Sequence, residues 1–408
     1  MQILRTKLNG MQALLLATLL MLTLLNNFKL NIQTIGFLSI FTLLSSALFF
    51  PVAQMSFGKN LPKDLLPVLL SGVCFLGIYI ISLLISGYNQ RALIVVSELV
   101  MVLSFAISVS MLVWSPKAIR IFCIIAIVFT VFILFIYKGF IMVGRGYIAN
   151  KNTIGGFLAF LNYWPIAYYL LSNKRQSRMI LFLFILTSLS GVFIIGARST
   201  WLALTAAATT FVLWPIISKN KFRFYAWFFL ALGMLILFIN IYLMISSLPI
   251  FDQMQRLVRE LSGGNLYSGR QIIWPLLIEA IKAQPLLGYG AAASPGLFLS
   301  TGLSSHNLYL QIALQVGLIG ILFFMILIFS IWKCFWKGRN NQLVRLSAAF
   351  MIAILVHQLF EVSLTQNNLA IGLLQWMIIG QGISFSIGSR TTINREAYYT
   401  CARRKRRK

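Results

Sequence analysis

Acidic side chains are nearly missing from this chain: 7 Asp and Glu stand against 34 Lys and Arg among 408 residues, and charged residues of every kind amount to 10%. A soluble domain carries about 25% charged residues, so a soluble globular class is excluded at once. The few carboxylates are scattered, which leaves no ligand cluster for a Mg²⁺-dependent transferase. No Walker-type phosphate loop occurs, and with it goes the usual signature of nucleotide hydrolysis. Cysteine is equally sparse: Cys74, Cys123, Cys334 and Cys401 have no metal-ligand spacing and read as packing residues or free thiols. No metal or other cofactor is expected. Histidine occurs twice, as His306 and His357.

What the chain has in excess is apolar length. It is 59% hydrophobic with a mean hydropathy of +0.88. Runs near 20 apolar residues cross about 30 Å of hydrocarbon as helices. Twelve are expected, at 11–27, 33–53, 65–87, 92–114, 119–139, 154–172, 179–196, 200–217, 225–248, 306–332, 345–365 and 369–388. The fold class is therefore an all-α polytopic integral membrane protein. Residues 1–248 hold nine spans, 249–305 form a long loop with short helices, 306–388 hold three spans, and 389–408 form a basic tail. The basic start at Arg5 and Lys7 resembles a signal peptide, but no small-residue cleavage site follows Leu25, so a retained first helix is expected.

A formal net charge of +27 raises the question of nucleic acid. The basic residues sit in short gaps between apolar runs, where they set topology, so no nucleic-acid partner is expected. With both ends on one side, 24 of the 34 fall on that side, which is then cytoplasmic. The tail "RRKRRK" is expected to lie against anionic membrane lipids. The minority on the other side includes Arg91, Lys151 and Arg198, and four more in the 249–305 loop: Arg256, Arg259, Arg270 and Lys282. A long loop rich in glycine and turn residues is where function concentrates.

Three outward stretches stand out. "GARSTW", 196–201, places Arg198 at a helix start. "YSGRQIIW", 267–274, has Gly269 before Arg270 and leads to the turn "QPLLGYG", 284–290. "SSHNLYLQ", 304–311, opens the tenth span, with Ser304 or Ser305 as a plausible N-cap and His306 in the first turn. Each has a plain alternative: an interface-anchoring arginine, a solvated loop charge, a capping histidine. Taken together, two cations and a neutral-pH base on one leaflet suit a phosphate-bearing lipid whose sugar is transferred. Guanidiniums match phosphate oxygens as a fork at any cellular pH. Charge-assisted hydrogen bonds of about 1.5–3 kcal/mol each, made to a leaving diphosphate, amount to on the order of 100-fold in rate. An imidazole, with an unperturbed pKa near 6.5, accepts the proton of an attacking sugar hydroxyl.

These stretches, in this order, together with the apolar run "SHNLYLQIALQVGLIG", resemble the O-antigen ligase and polymerase family of bacterial inner-membrane proteins. The likeness to the ligase branch is good, and in the last stretch Gly317 and Gly320 are small enough for close helix approach. The resemblance implies a glycosyltransferase that takes O-antigen polysaccharide from undecaprenyl diphosphate. The acceptor it implies is a sugar hydroxyl of lipid A–core, at the periplasmic face of the inner membrane. It assigns the catalytic roles to His306, Arg270 and Arg198. Ser305, Asn307 and Gly269 fall beside them as substrate-binding candidates. Tyr147, Lys151 and Asn152 in "GRGYIANKNTIGG" are candidates for holding donor phosphate or sugar, or an ordinary glycine-rich turn. Glu361, four residues after His357 and expected on the same helix face, is a candidate for orienting an arginine or an acceptor sugar, or half of a structural pair. Two positions depart from the family: Ala197 where Ser is frequent, and Gln284 where His commonly precedes the Pro-Leu-Leu-Gly turn. Polymerase action remains open, since it uses the same donor head group. A protein-glycosylating relative is disfavoured by the short tail. A polyprenyl-glycan transporter or flippase is the non-enzyme alternative, disfavoured by the absence of internal repeats.

Overall fold

The computed structural model describes residues 6–7, 10–25, 40, 42, 62–87, 89–143, 151–244, 249–262, 269–298 and 304–405. The helices are α1 (Gly10–Leu25), α2 (Leu66–Ile85), α3 (Gln90–Met111), α4 (Pro116–Val143), α5 (Lys151–Leu161), α6 (Tyr163–Leu171), α7 (Arg175–Ile195), α8 (Arg198–Ile217), α9 (Lys221–Met244), α10 (Phe251–Ser262), α11 (Arg270–Ala283), α12 (Leu308–Lys337), α13 (Gln342–His357) and α14 (Leu369–Lys405). Among the described residues the strands are a two-residue parallel pair, Thr6–Lys7 with Leu112–Val113.

The chain is an all-α polytopic membrane protein. Nine described stretches are long and apolar enough to cross a membrane: α2, α3, α4, α5 with α6, α7, α8, α9, α12 and the 369–388 part of α14. α1 and α13 are apolar but shorter. The expected span at 33–53 lies outside the described residues. α10, α11 and a 3₁₀ turn at Pro295–Leu297 fall within 249–305, and α14 runs on into the basic tail.

Burial sorts the helices. The 369–388 stretch of α14 is entirely enclosed, packed along α3 and α13, whereas 17% of the most apolar window of α9 is buried. α14 is thus the axis of the bundle, and α7 and α9 present Phe182, Leu183, Phe229 and Leu237 outward, as helices bathed in lipid do. At the end of the bundle remote from the site, Trp332 stacks on Phe224 at 4.8 Å and donates to its carbonyl at 3.0 Å, clamping α9 to α12. Lys337 pairs with Asp64 at that same end.

Two expectations are corrected by local backbone. The eleventh span was expected to reach residue 365, yet α13 stops at His357. Gln358 ends it: its side-chain carbonyl accepts the N–H groups of Ser363 and Leu364, each at 3.1 Å, and this turn competes with helical continuation. Glu361 consequently does not share a helix face with His357.

The second correction concerns Gly317, expected as a small residue at a helix contact. It breaks α12 instead, with φ 68° and ψ −168°. The break frees the carbonyls of Leu314 and Gln315, which accept from Tyr289 N (2.8 Å) and Gly290 N (3.0 Å). Leu318 N donates in turn to the Pro285 carbonyl at 2.8 Å. The "QPLLGYG" turn therefore docks into the helix as a short backbone splice. A Cβ on Gly317 would come within 2.0 Å of the Leu286 carbonyl oxygen, so neither the space nor the backbone angle admits a side chain.

Candidate active site

The site is built on three chain segments at one end of the bundle. The first is 304–307. The helix α12 is capped by Asn307, whose Oδ1 accepts from Leu310 N at 3.0 Å, and not by Ser304 or Ser305 as expected. His306 therefore stands before the helix, with φ 48°, a left-handed conformation uncommon outside glycine. Its backbone N–H donates to Ser304 Oγ at 3.3 Å. Ser305 is fully buried; its carbonyl accepts from Trp274 Nε1 at 3.0 Å, which pins α11 to this segment. Asn307 is fully buried too, and its Nδ2 has no partner.

The second segment, 358–368, is the hub, and sequence reasoning read most of it as helix. Leu308 N donates to the Gln358 carbonyl at 2.9 Å, and Tyr309 Oη to the Leu355 carbonyl at 2.8 Å. These bonds hold the hub beside His306. Glu361 Oε2 lies 3.7 Å from His306 Nδ1, within ion-pair reach, and its Oε1 accepts from Asn152 Nδ2 at 3.1 Å. Burial alone would raise the Glu361 carboxyl. The contact with His306, together with the nearby His357 and the guanidinium of Arg270, outweighs it and holds the carboxyl below the usual carboxylate range.

The third segment carries the arginines. Gly269, in the left-handed region at φ 86°, turns the chain so that Arg270 opens α11. Arg270 is only 7% exposed, yet its Nη2 donates to the Phe360 carbonyl at 2.9 Å and its guanidinium lies 5.6 Å from that ring. Its Nε is buried without a partner. Arg198 opens α8 after Gly196, which ends α7 with φ 74°. The charges of Arg198 and Arg270 act on each other, and the Tyr242 side chain lies in the same field. Ala197, the first departure from the family pattern, is fully buried; a Cβ on Gly155 would come within 2.3 Å of its methyl. Gln284, the second, is the exposed C-cap of α11.

The catalytic candidates are thus brought together through Glu361 and Phe360. Gly269 supplies backbone geometry, and Asn152 holds the carboxylate. Lys151 is exposed at the start of α5, where Thr153 is the residue on the cavity wall. Tyr147 lies outside the described residues. Sequence reasoning missed Arg91, Asn367 and Gln366. Arg91 had one signal, its place among the few outward basic residues; the other two had none.

Two chambers meet at the hub. A polar cavity of about 400 Å³ is lined by His306, Glu361, Arg91, Asn367, Ser294 and neighbouring residues. On the other side an apolar cleft of about 430 Å³ runs between α8, α9 and α13, lined by Leu202, Met234, Phe238, Ile241, Val356 and Leu359 among others. The Phe238 ring on the cleft wall packs on Phe360 at 5.3 Å, and the Arg270 guanidinium lies 5.6 Å from that same Phe360 ring.

Fold and site together define a multi-pass membrane protein with a polar chamber, two guanidiniums and an imidazole at one end of its helices. The family model described as O-antigen ligase matches residues 182–325, a stretch that contains Arg198, Arg270 and His306. That stretch of the chain is similar to the O-antigen ligase family. The matched stretch supports an O-antigen ligase or polymerase type of activity in general. No curated protein matches it.

Proposed function

We propose that this protein is an O-antigen ligase: it moves O-antigen polysaccharide from undecaprenyl diphosphate to a sugar hydroxyl of lipid A–core at the periplasmic face of the inner membrane. The observation that carries this reading is the meeting of His306, Glu361, Arg270 and Arg198 at the junction of a polar chamber and an apolar cleft.

The cleft takes the polyprenyl tail, and the diphosphate rests against Arg270 and Arg198. The unpartnered Nε of Arg270 supplies a donor that phosphate oxygen satisfies. The acceptor sugar enters the polar cavity. Its hydroxyl attacks the anomeric carbon, the bond from that carbon to phosphate oxygen breaks, and the hydroxyl proton passes to His306. Glu361 beside Nδ1 favours the tautomer with the proton on that nitrogen, which leaves Nε2 as the base. The negative charge that develops on the leaving diphosphate is met by guanidiniums already in place. The donor bond drives the reaction, and we propose that no metal is required.

Reconstitution in nanodiscs with undecaprenyl-diphosphate glycan and either lipid A–core or a second donor molecule tests the reading. Consumption of lipid A–core is expected. Elongation of the second donor, with lipid A–core untouched, overturns ligase in favour of polymerase.

A further inference from the structure

The proposed mechanism leaves unused the one arginine among the polar cavity's lining residues. Arg91, in the first turn of α3, lines the polar cavity that holds His306 and Glu361. Arg198 and Arg270 do not line it, so Arg91 stands on the acceptor side of the hub. Asn89 Oδ1 accepts from the backbone N–H of Arg91 at 2.8 Å and caps α3, fixing where the side chain starts. The turn before it is anchored as well: a Cβ on Gly290 would come within 2.6 Å of Ser86 Oγ, so the end of α2 is pressed against the 288–296 turn, whose residues Ser294 to Gly296 also line the cavity. Gln311 and Gln315 hold that wall through the Ala293 and Ala291 carbonyls, each at 2.8 Å. Among the described residues no carboxylate forms an ion pair with Arg91, while the cavity's own carboxylate, Glu361, is engaged by His306 and Asn152. The rest of the wall, including Ser294, Ser304, Gln366 and Asn367, is neutral and suits sugar hydroxyls.

We propose, resting on the transferase reading above, that Arg91 is a specificity residue that binds an anionic group on the acceptor glycan. A neutral sugar needs hydrogen-bond partners and no cation. A guanidinium on the wall of the chamber that holds the base selects an acceptor that carries a phosphate or a carboxylate near the hydroxyl it presents to His306. The Glu361 carboxylate in the same chamber repels that group and so favours an orientation of the acceptor that keeps it toward Arg91.

The test uses the full chain in nanodiscs with four acceptors: phosphorylated core oligosaccharide, its dephosphorylated form, a uronic-acid-bearing core oligosaccharide, and its carboxyl-reduced form. The readout is the ratio of kcat/KM for each charged acceptor over its neutral counterpart. In the native protein one ratio is expected to exceed tenfold; it should fall tenfold or more in Arg91→Gln and be largely kept in Arg91→Lys. Whichever ratio collapses names phosphate or carboxylate as the group. A native protein without preference in either pair, or a ratio that Arg91→Gln leaves unchanged, overturns the proposal while the transferase reading stands. A native protein that transfers glycan to none of the acceptors, nor to a second donor, overturns both.

Discussion

The two chambers on either side of the 358–368 segment have similar volumes, about 400 and about 430 Å³, and opposite surfaces. Consecutive residues serve them: Phe360 packs toward the cleft on Phe238, and Glu361 faces the cavity and His306. A lipid-linked sugar is itself a molecule of two natures, and its reacting bond lies where they join. The contrast teaches that selectivity for such a donor needs no large specific pocket. It needs a short non-helical segment that turns one residue to lipid and the next to water, with fixed cations at the seam.

The sharpest way to break this contrast is to remove the group that faces the polar side. His306→Ala should lower glycan transfer by about 10²–10⁴-fold while membrane insertion is unchanged, and near-native turnover would remove His306 from the mechanism. Arg270→Ala should follow with a loss of roughly 100-fold, because it strips the diphosphate of a buried forked donor. Arg270→Lys should recover little of that loss, and full recovery would show that charge alone suffices.

Glu361→Gln should act more gently, by about tenfold at neutral pH. The pH dependence of the pairing follows from the Glu361 carboxyl itself. Because the Glu361 carboxyl is held below the usual carboxylate range, its stabilising pairing is complete above that range and is lost only as pH falls through its lowered folded value. Native turnover in the variant at neutral pH would show that Glu361 does not position the base.

On the apolar side, Leu202→Trp should fill the cleft one turn below Arg198 and raise the donor KM severalfold with the acceptor KM unchanged. An equal rise in both constants would mean that the cleft is not the donor's alone. The smallest effect belongs to excess EDTA, which should leave transfer intact; its loss would bring a metal into the mechanism.

Much of the site was legible as motifs and little of it as geometry. Arg198, Arg270 and His306 stand out because cations and imidazoles are rare on one side of a greasy chain. Glu361 was visible as a rare carboxylate, but its partner was assigned by helical spacing to His357, and the chain leaves the helix before reaching it. Asn307, a substrate-binding candidate in the sequence, also caps α12 through Oδ1 and so sets where that helix begins, while its Nδ2 has no partner. Gly317 looked like a packing glycine, whereas the splice with the 284–290 turn requires it at a helix break. Arg91 carried too little signal to be separated from a topological charge.

Hydropathy and charge, counted along the chain, determined that this protein spans a membrane and where most of its helices run, because insertion into hydrocarbon is a local transaction settled over some twenty residues. The order of the functional stretches was determined in the same one-dimensional way. Only the folded arrangement decided that Glu361 meets His306 and Asn152, that Arg270 meets Phe360, and that Arg91 lines the polar cavity. The Asn152–Glu361 bond joins segments 209 residues apart. These meetings depend on where α13 is interrupted and α12 is broken, and these breaks are set by side-chain and backbone hydrogen bonds contributed from elsewhere in the bundle.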